Sequence, residues 1–144
     1  MLRKIRIKGY RGLKDVELDL PAALPIVLIG ENATGKSTIL DALAVLCRLA
    51  KGQGGDAIYD RGGWSAVTWL GAGRDIEFRL LFDQSAFVED KGPVEYYVRL
   101  GAERSVITVL DEELSVFQRG LDQKPLVVLK GGARPWARNV QMNG

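Results

Sequence analysis

The residues with the clearest capacity for chemistry form one loop, GENATGKST, at positions 30–38. Its first eight residues fit the pattern G-x-x-x-x-G-K-[ST], from Gly30 to Ser37, without a mismatch. A glycine at each end allows the backbone to pass close to a phosphate chain and to point its N–H groups inward. A helix that starts near Lys36 would add the positive end of its dipole. The loop therefore predicts a polyphosphate-binding site.

The polar side chains of this loop have distinct expected roles around a nucleoside triphosphate. Lys36 can reach the β- and γ-phosphates and neutralise charge in the transition state, the Ser37 hydroxyl can ligate Mg²⁺, and Thr38 can contact the α-phosphate. The competing interpretation is a chance glycine loop before an amphipathic helix, which the complete pattern in its full context disfavours. The predicted nucleotide-binding residues are Gly30, Glu31, Asn32, Ala33, Thr34, Gly35, Lys36, Ser37 and Thr38.

The composition of the 144-residue chain fits one ordinary domain, with 47% hydrophobic residues to build a core. Lys and Arg number 20 and Asp and Glu 18, a net charge of +2, so composition alone implies no polyanion-binding surface. There is no histidine, which removes histidine general bases and histidine-containing zinc sites from the candidates. A single cysteine, an N-terminus unlike a signal peptide and no apolar run of about 20 residues predict a cytoplasmic protein with no membrane span.

An apolar run and an amphipathic segment flank the loop. PIVLIG (25–30) is continuously apolar, which is typical of a central strand covered on both faces. After the loop, apolar residues recur at helical spacing, and KGQGG (51–55) ends the predicted helix. The predicted apolar stripe contains Cys47, which makes this cysteine a core residue rather than a reactive thiol. Its members are Ile39, Leu40, Leu43, Leu46, Cys47 and Ala50.

The first 20 residues predict two antiparallel strands in a definite register. Apolar and charged residues alternate in LRKIRIK (2–8) and in DVELDL (15–20). One register puts the apolar residues on one side and matches every basic residue with an acidic one. Cross-strand charge matching explains the basic stripe more simply than the alternative, a nucleic-acid contact. The predicted pairs are Ile7–Val16, Ile5–Leu18, Lys8–Asp15, Arg6–Glu17 and Lys4–Asp19.

The second half of the chain predicts β-structure with little helix. Residues 56–73, with Trp64 and Trp69, indicate a loop containing at most one short strand, AVTWL (66–70). Residues 74–134 alternate with a period of two around the expected turns EDKGP (89–93) and GAER (101–104), which predicts an antiparallel meander. The expected organisation is 1–55 (strand pair, apolar strand, loop and helix), 56–73 (loop), 74–134 (β subdomain) and 135–144 (tail).

Two carboxylates are candidates for the chemistry of hydrolysis. Asp111 and Glu112 close the apolar run SVITVL (105–110), the position in which a Mg²⁺-binding carboxylate commonly lies. Such a strand runs parallel to the strand before the phosphate loop and is reached through helical crossovers. Residues 51–105 instead show strand alternation and turns. The pattern therefore favours a charged end of a meander strand, with the catalytic role as the alternative.

The phosphate loop and the segment before it resemble a known family. GENATGKS resembles the Walker A loop of ABC-type ATPases, G-x-N-[GA]-x-G-K-[ST], which Asn32 and Ala33 match. IRIKGYRGLKDVELDL (5–20) resembles the N-terminal signature of the SMC/RecF/OLD group, in which a strand ends in an aromatic-Arg-x-hydrophobic turn, here residues 10–13. The β-rich remainder is similar to the antiparallel subdomain of AAA-type ATPases in that group.

This resemblance implies an α/β fold with α+β character: a P-loop NTPase, an ABC-type N-terminal lobe with a mixed sheet, one P-loop helix and an antiparallel β-meander. It implies that the cofactors are ATP and Mg²⁺ and that Arg11 lies near the nucleotide, whereas the alternative for Arg11 is a plain surface turn. Relatives carry the signature, Walker B and switch residues in a second lobe. The resemblance thus implies that a missing C-terminal lobe or a homodimer partner completes the ATPase. Gln141 lies where relatives place a Q-loop glutamine, in a segment too generic to assign.

The biological work implied by the resemblance is on DNA, in repair, chromosome maintenance or phage defence, and it extends to this chain by analogy only. Two other functions stay open. One is a self-contained small P-loop NTPase that uses Asp111 and Glu112. The other is a nucleotide-gated interaction module that binds ATP without hydrolysing it. Lys36 is required for binding in all three.

Overall fold

The computed structural model describes residues 1–21, 25–31, 35–83, 91–103, 106–118, 125–132 and 134–135. Strands β1 (Leu2–Tyr10) and β2 (Leu13–Asp19) are followed by helix α1 (Lys36–Ala50). Two short helices, α2 (Gly54–Tyr59) and α3 (Trp64–Val67), and a 3₁₀ turn (Trp69–Gly71) come next. The remaining strands are β3 (Ile76–Phe82), β4 (Lys91–Glu103), β5 (Val106–Gln118), β6 (Pro125–Gly131) and β7 (Arg134–Pro135).

The described strands form one sheet in the order β2-β1-β3-β4-β5-β6, with β7 also paired to β5. Because β1 pairs with β3, the N-terminal hairpin and the later meander belong to the same sheet. The predicted α/β class and antiparallel meander are confirmed. Every pairing between described strands is antiparallel, so the parallel pairing that a mixed sheet requires is not among them.

The register of the N-terminal hairpin is confirmed, since all five predicted residue pairs are observed. The predicted ion pair between Lys4 and Asp19 is also observed, at 3.3 Å, but the other two basic residues do not pair with the residues that face them. Arg6 donates to Asp15, one pair further along β2, with 2.6 Å between Nη2 and Oδ2. Lys8 instead reaches Glu77 on the other neighbouring strand, at 3.0 Å. Long basic side chains on twisted strands can reach diagonal neighbours, so register alone does not fix the partner of each charge.

One face of the sheet packs against α1, α2 and α3 to form the core. Helix α1 contributes its buried residues Ile39, Ala42, Val45 and Leu49. The sheet contributes Ile5, Ile7, Tyr10, Leu13, Ile76, Phe78, Val98, Leu100, Ile107 and Val109, and α2 and α3 add Ile58 and Val67. In the described part of the chain, no helix has the length and apolar character needed to span a membrane.

The exposed face of α1 corrects the prediction for Cys47. The cysteine is exposed and not a core residue, and Leu40 on the same face is 63% exposed. The helix is apolar around most of its circumference, so the spacing of its apolar residues is compatible with more than one core-facing stripe. The stripe that faces the core runs through residues 39, 42, 45 and 49, and its centre lies about 150° around the helix from Leu40 and Cys47.

The apolar segment before the loop does not form the predicted buried strand. No strand is assigned to residues 25–31. Val27 is 73% exposed and Ile29 is 91% exposed, while Leu28 packs against the core. A fully buried strand needs pairing partners at its edges and cover on both faces. None of the described strands pairs with this segment.

Residues 56–73 and the two expected turns also differ from the prediction. The region predicted as loop holds most of α2 together with α3 and the 3₁₀ turn, elements too short to produce a helical period. The strand predicted at 66–70 is absent, and only Thr68 forms a bridge, with Tyr10. Both expected turns fall partly inside β4. A Cβ on Gly101 would lie 2.6 Å from Leu110 Cδ1, so this glycine permits close packing within the hairpin.

Candidate functional site

The described part of the predicted phosphate loop ends where α1 begins. Gly35 is the N-cap of α1, with φ 95° and ψ 1°, a left-handed conformation that favours glycine. A Cβ at this position would lie 3.1 Å from Leu13 Cδ2. The turn between β1 and β2 is therefore packed against the end of the loop. Asn32, Ala33 and Thr34, which belong to the predicted binding set, lie outside the described residues.

The side chain of Lys36 lies against the backbone of the loop. Its Nζ donates to the carbonyl oxygen of Gly30 at 2.5 Å and to that of Glu31. These contacts hold the ammonium beside the residues expected to surround phosphate. Ser37, the candidate Mg²⁺ ligand, is exposed, and Thr38 is partly exposed. The structure thus keeps the expected cation and hydroxyls together at the start of one helix.

The start of α1 is electrostatically suited to an anion. Its first turn carries no acidic residue, and its N-cap, Gly35, has no side chain that could accept from the backbone N–H groups. The N–H groups of a first turn, which have no partner within the helix, and the helix dipole both favour negative charge at this end. Among the described residues, no group of three or more acidic or cysteine side chains could hold a metal. Mg²⁺ is usually held by few protein ligands together with nucleotide phosphates, and the Ser37 hydroxyl fits that manner of binding.

A charged cluster that sequence analysis missed joins α1 to the turn containing Arg11. Asp41 of α1 accepts hydrogen bonds from Tyr10 Oη at 2.5 Å and Arg61 Nε at 2.7 Å. Arg11 Nη1 lies 2.9 Å from the same carboxylate. The sequence feature that could have pointed to this cluster is that Asp41 is the one acidic residue in α1. Its partners lie 20 to 31 residues away in the chain, at distances that periodicity does not address.

Asp111 and Glu112 lie in the middle of β5, so their predicted position at the end of a strand is wrong. The strand continues through this charged stretch because it is paired with β4 on one edge and with β6 on the other. Glu112 is only 9% exposed and accepts a hydrogen bond from Tyr96 Oη at 2.7 Å. A catalytic role for either carboxylate stays a prediction. Gln141 lies outside the described residues.

The fold defines the class: an α/β domain with the P-loop NTPase fold, built on an antiparallel sheet. Residues 1–126 match the family described as "AAA ATPase domain", and the chain belongs to this family of ATP-binding ATPase domains. No curated protein matches the chain. A solved structure described as "Structural biochemistry of ATP-driven dimerization and DNA stimulated activation of SMC ATPases" is similar, with a TM-score of 0.53 and 19% sequence identity. The match covers 82% of this chain and 70% of that chain, and at this identity it shows the fold.

Proposed function

We propose that this domain binds Mg·ATP through residues 30–38 and hydrolyses it when a second ATPase lobe, or a second copy, completes the site. The observation that carries the first part is the full phosphate-loop pattern at the start of a 15-residue helix whose N-cap is a glycine in a left-handed conformation. Membership of the AAA ATPase family supports ATP as the nucleotide. The solved relative is described as an SMC ATPase that dimerises when driven by ATP, which motivates the second part.

The proposed roles of the side chains follow from their charge and position. Lys36 neutralises charge on the terminal phosphates, and the N–H groups at the start of α1 hold phosphate oxygens. Ser37 is the protein ligand of Mg²⁺, an ion that supplies charge neutralisation and orients the phosphates when bound. Thr38 contacts the phosphate nearest the nucleoside. Arg11, held beside α1 by Asp41, adds a second cation near the nucleotide.

Exposed apolar residues support the proposed second lobe. Val27, Ile29 and Leu40 are 73%, 91% and 63% exposed, although they flank the candidate site in the sequence. Large exposed apolar side chains in one region favour a covering partner. A helix that is apolar on two sides, as α1 is, is typical of an element packed between two layers. We therefore propose that the covering partner packs on the 25–29 segment and on the exposed face of α1.

The outer face of the sheet does not favour a DNA contact. Its described basic side chains each pair with a carboxylate, which leaves little charge for neutralising phosphates. The pairs are Lys4–Glu17, Arg6–Asp15, Lys8–Glu77, Arg79–Glu95, Arg99–Asp75 and Lys130–Glu113. A role in DNA repair, chromosome maintenance or phage defence, if this domain has one, would use another surface or a partner.

Calorimetric titration with Mg·ATP tests the proposed function. A matched pair of variants is available on one helix, since Lys36 begins α1 and Lys51 caps its other end. We expect Lys36→Ala to weaken binding by about tenfold or more, because it removes a charge-assisted contact, and Lys51→Ala to bind like the wild type. At a hundred times the Kd, Mg·ATP should stabilise the wild type by about 2.7 kcal/mol, or about 5–10 °C in Tm. No heat and no Tm shift at millimolar Mg·ATP would overturn the proposal.

A further inference from the structure

The position of Asp41 on α1 brings its contacts close to the candidate site. Asp41 follows Ser37 by four residues, so the two side chains lie on the same face of the helix, one turn apart. Its carboxylate is shared by two guanidinium groups and one phenol. Arg11 is thereby held by a residue of α1 that lies one helical turn after the proposed Mg²⁺ ligand.

The partners of Asp41 are not equivalent. Tyr10 is fully buried. Arg61 is 16% exposed and also donates to the carbonyl oxygen of Ala57, so its guanidinium is fixed at two points. Arg11 is the more exposed of the two arginines, at 36%. The Arg11 guanidinium has several N–H donors, so it can serve a second anion while it stays beside Asp41, whose charge Tyr10 and Arg61 also compensate. Arg11 is therefore the cation of this cluster that can serve a phosphate at low cost.

The backbone of the Arg11 turn is held without Asp41. Arg11 has φ 46°, a left-handed conformation uncommon for a residue with a side chain. Its N–H donates to the carbonyl oxygen of Val67 at 2.8 Å, and the neighbouring Tyr10 bridges to Thr68. On the other side of the turn, Leu13 is packed at Gly35. The direction of the Arg11 side chain is thus set by Asp41 and by the Tyr10 ring, whose centroid lies 5.8 Å from the guanidinium carbon of Arg11.

We propose that Asp41 is a positioning residue that orients the Arg11 guanidinium toward phosphates bound at the start of α1, with Arg61 as the permanent counterion of Asp41. This inference rests on the proposed function, because it needs a phosphate ligand at the loop. Asp41 itself does not touch the nucleotide in this arrangement. It acts through the direction it imposes on Arg11.

The sign of the effect of Asp41→Asn separates this role from two simpler ones. A carboxylate that merely adds negative charge near the phosphates would weaken binding, so its neutralisation would tighten it. A carboxylate that only stabilises the fold would change the Tm and leave the affinity of the folded protein unaltered. A carboxylate that positions Arg11 makes binding weaker when it is removed. Affinity for Mg·ATP, measured well below the Tm of each variant, is therefore the informative quantity.

The experiment compares Asp41→Asn with Asp60→Asn by calorimetric titration with Mg·ATP. Asp60, like Asp41, is paired with an arginine. Its partner is Arg48 of α1, whose Nη1 lies 2.6 Å from Asp60 Oδ2. Arg48 lies 12 residues after Lys36, about 18 Å further along the helix at about 1.5 Å per residue. We expect Asp41→Asn to weaken binding by about tenfold, the scale of one charge-assisted contact, and Asp60→Asn to have no effect. Unchanged or tighter binding by Asp41→Asn would overturn the inference.

A double-variant cycle with Arg11→Ala tests whether Asp41 acts through Arg11. We expect Arg11→Ala to weaken binding at least as much as Asp41→Asn, and the double variant to bind no more weakly than Arg11→Ala alone. Additive losses would overturn the inference. Full affinity in Arg11→Ala would also overturn it, even if Asp41→Asn failed to fold. A further outcome separates this inference from the proposed function. If the wild type binds Mg·ATP, Lys36→Ala does not, and both Asp variants bind normally, this inference is rejected and the proposed function stands. No binding by the wild type would reject both.

Discussion

Replacing Gly35 by alanine should cost more stability than the same change at Gly52, although both glycines flank α1 with positive φ. Gly52 has φ 74°, and nothing lies within 4 Å of a Cβ placed there. Its alanine variant carries only the left-handed backbone penalty, about 1–2 kcal/mol. Gly35 has φ 95°, and its Cβ would meet Leu13 Cδ2 at 3.1 Å. Leu13 is only 3% exposed, so it has little room to move away.

We therefore expect Gly35→Ala to lose about 2–3 kcal/mol, at the upper end of the range for a strained backbone with an added contact. For a chain of this length the Tm should fall by about 5–10 °C, against about 2–6 °C for Gly52→Ala. Thermal unfolding followed by circular dichroism measures both. Calorimetric titration should find weaker Mg·ATP binding only in Gly35→Ala, because Gly35 shapes the loop. Equal losses of stability in the two variants would refute the argument that Leu13 confines Gly35.

Three further outcomes follow from described contacts. Tyr10→Phe removes the hydrogen bond to Asp41 and should cost about 1 kcal/mol in urea unfolding; an unchanged unfolding midpoint would contradict that contact. Burial acts to raise the pKa of Asp41, but hydrogen bonds from Tyr10 and Arg61 and the charges of both arginines outweigh it, so the pKa lies below its ordinary value. The stability that Asp41 contributes is thus complete above its unfolded pKa and lost as pH falls through the folded one. The difference in unfolding free energy between wild type and Asp41→Asn should therefore hold from pH 7 to about 5 and shrink below about 4. Cys47 is exposed and should react with a thiol reagent in the native protein at a rate close to that in urea; protection in the isolated domain would contradict its placement.

The hairpin register was predictable because every constraint on it is local. Alternation fixes which residues of each strand face the core, and a slip by one residue would move all of them to the opposite face. The matching charges select the same register. The start of α1 was predictable for a similar reason, since a glycine that must take a positive φ and the lysine after it belong to one loop pattern. Local sequence therefore predicted the elements that present Lys36 and Ser37.

The cluster around Asp41 depends on tertiary structure and could not be predicted in this way. Its carboxylate meets residues from the β1–β2 turn and from the segment after α2. The second of these segments was predicted as loop, because helices of six and four residues give no period. Without α3, nothing would indicate that Thr68 and Val67 hold the backbone of Tyr10 and of Arg11, respectively. The position of the Arg11 side chain thus follows from contacts between distant segments.

Two of the wrong predictions have a common physical cause. The strand expected at 25–30 and the core position expected for Cys47 both assume that apolar residues on two sides of an element will be covered on two sides. In the described residues each element packs against the core on one side only. The first does so through Leu28 and the second through Ile39, Ala42, Val45 and Leu49. A partner that packs on the exposed sides would satisfy both patterns at once. If a second lobe or copy completes the site as proposed, Mg·ATP-dependent assembly should protect Cys47 from the thiol reagent. Substituting a charged residue for Leu40, on the same face, should prevent that protection without unfolding the domain.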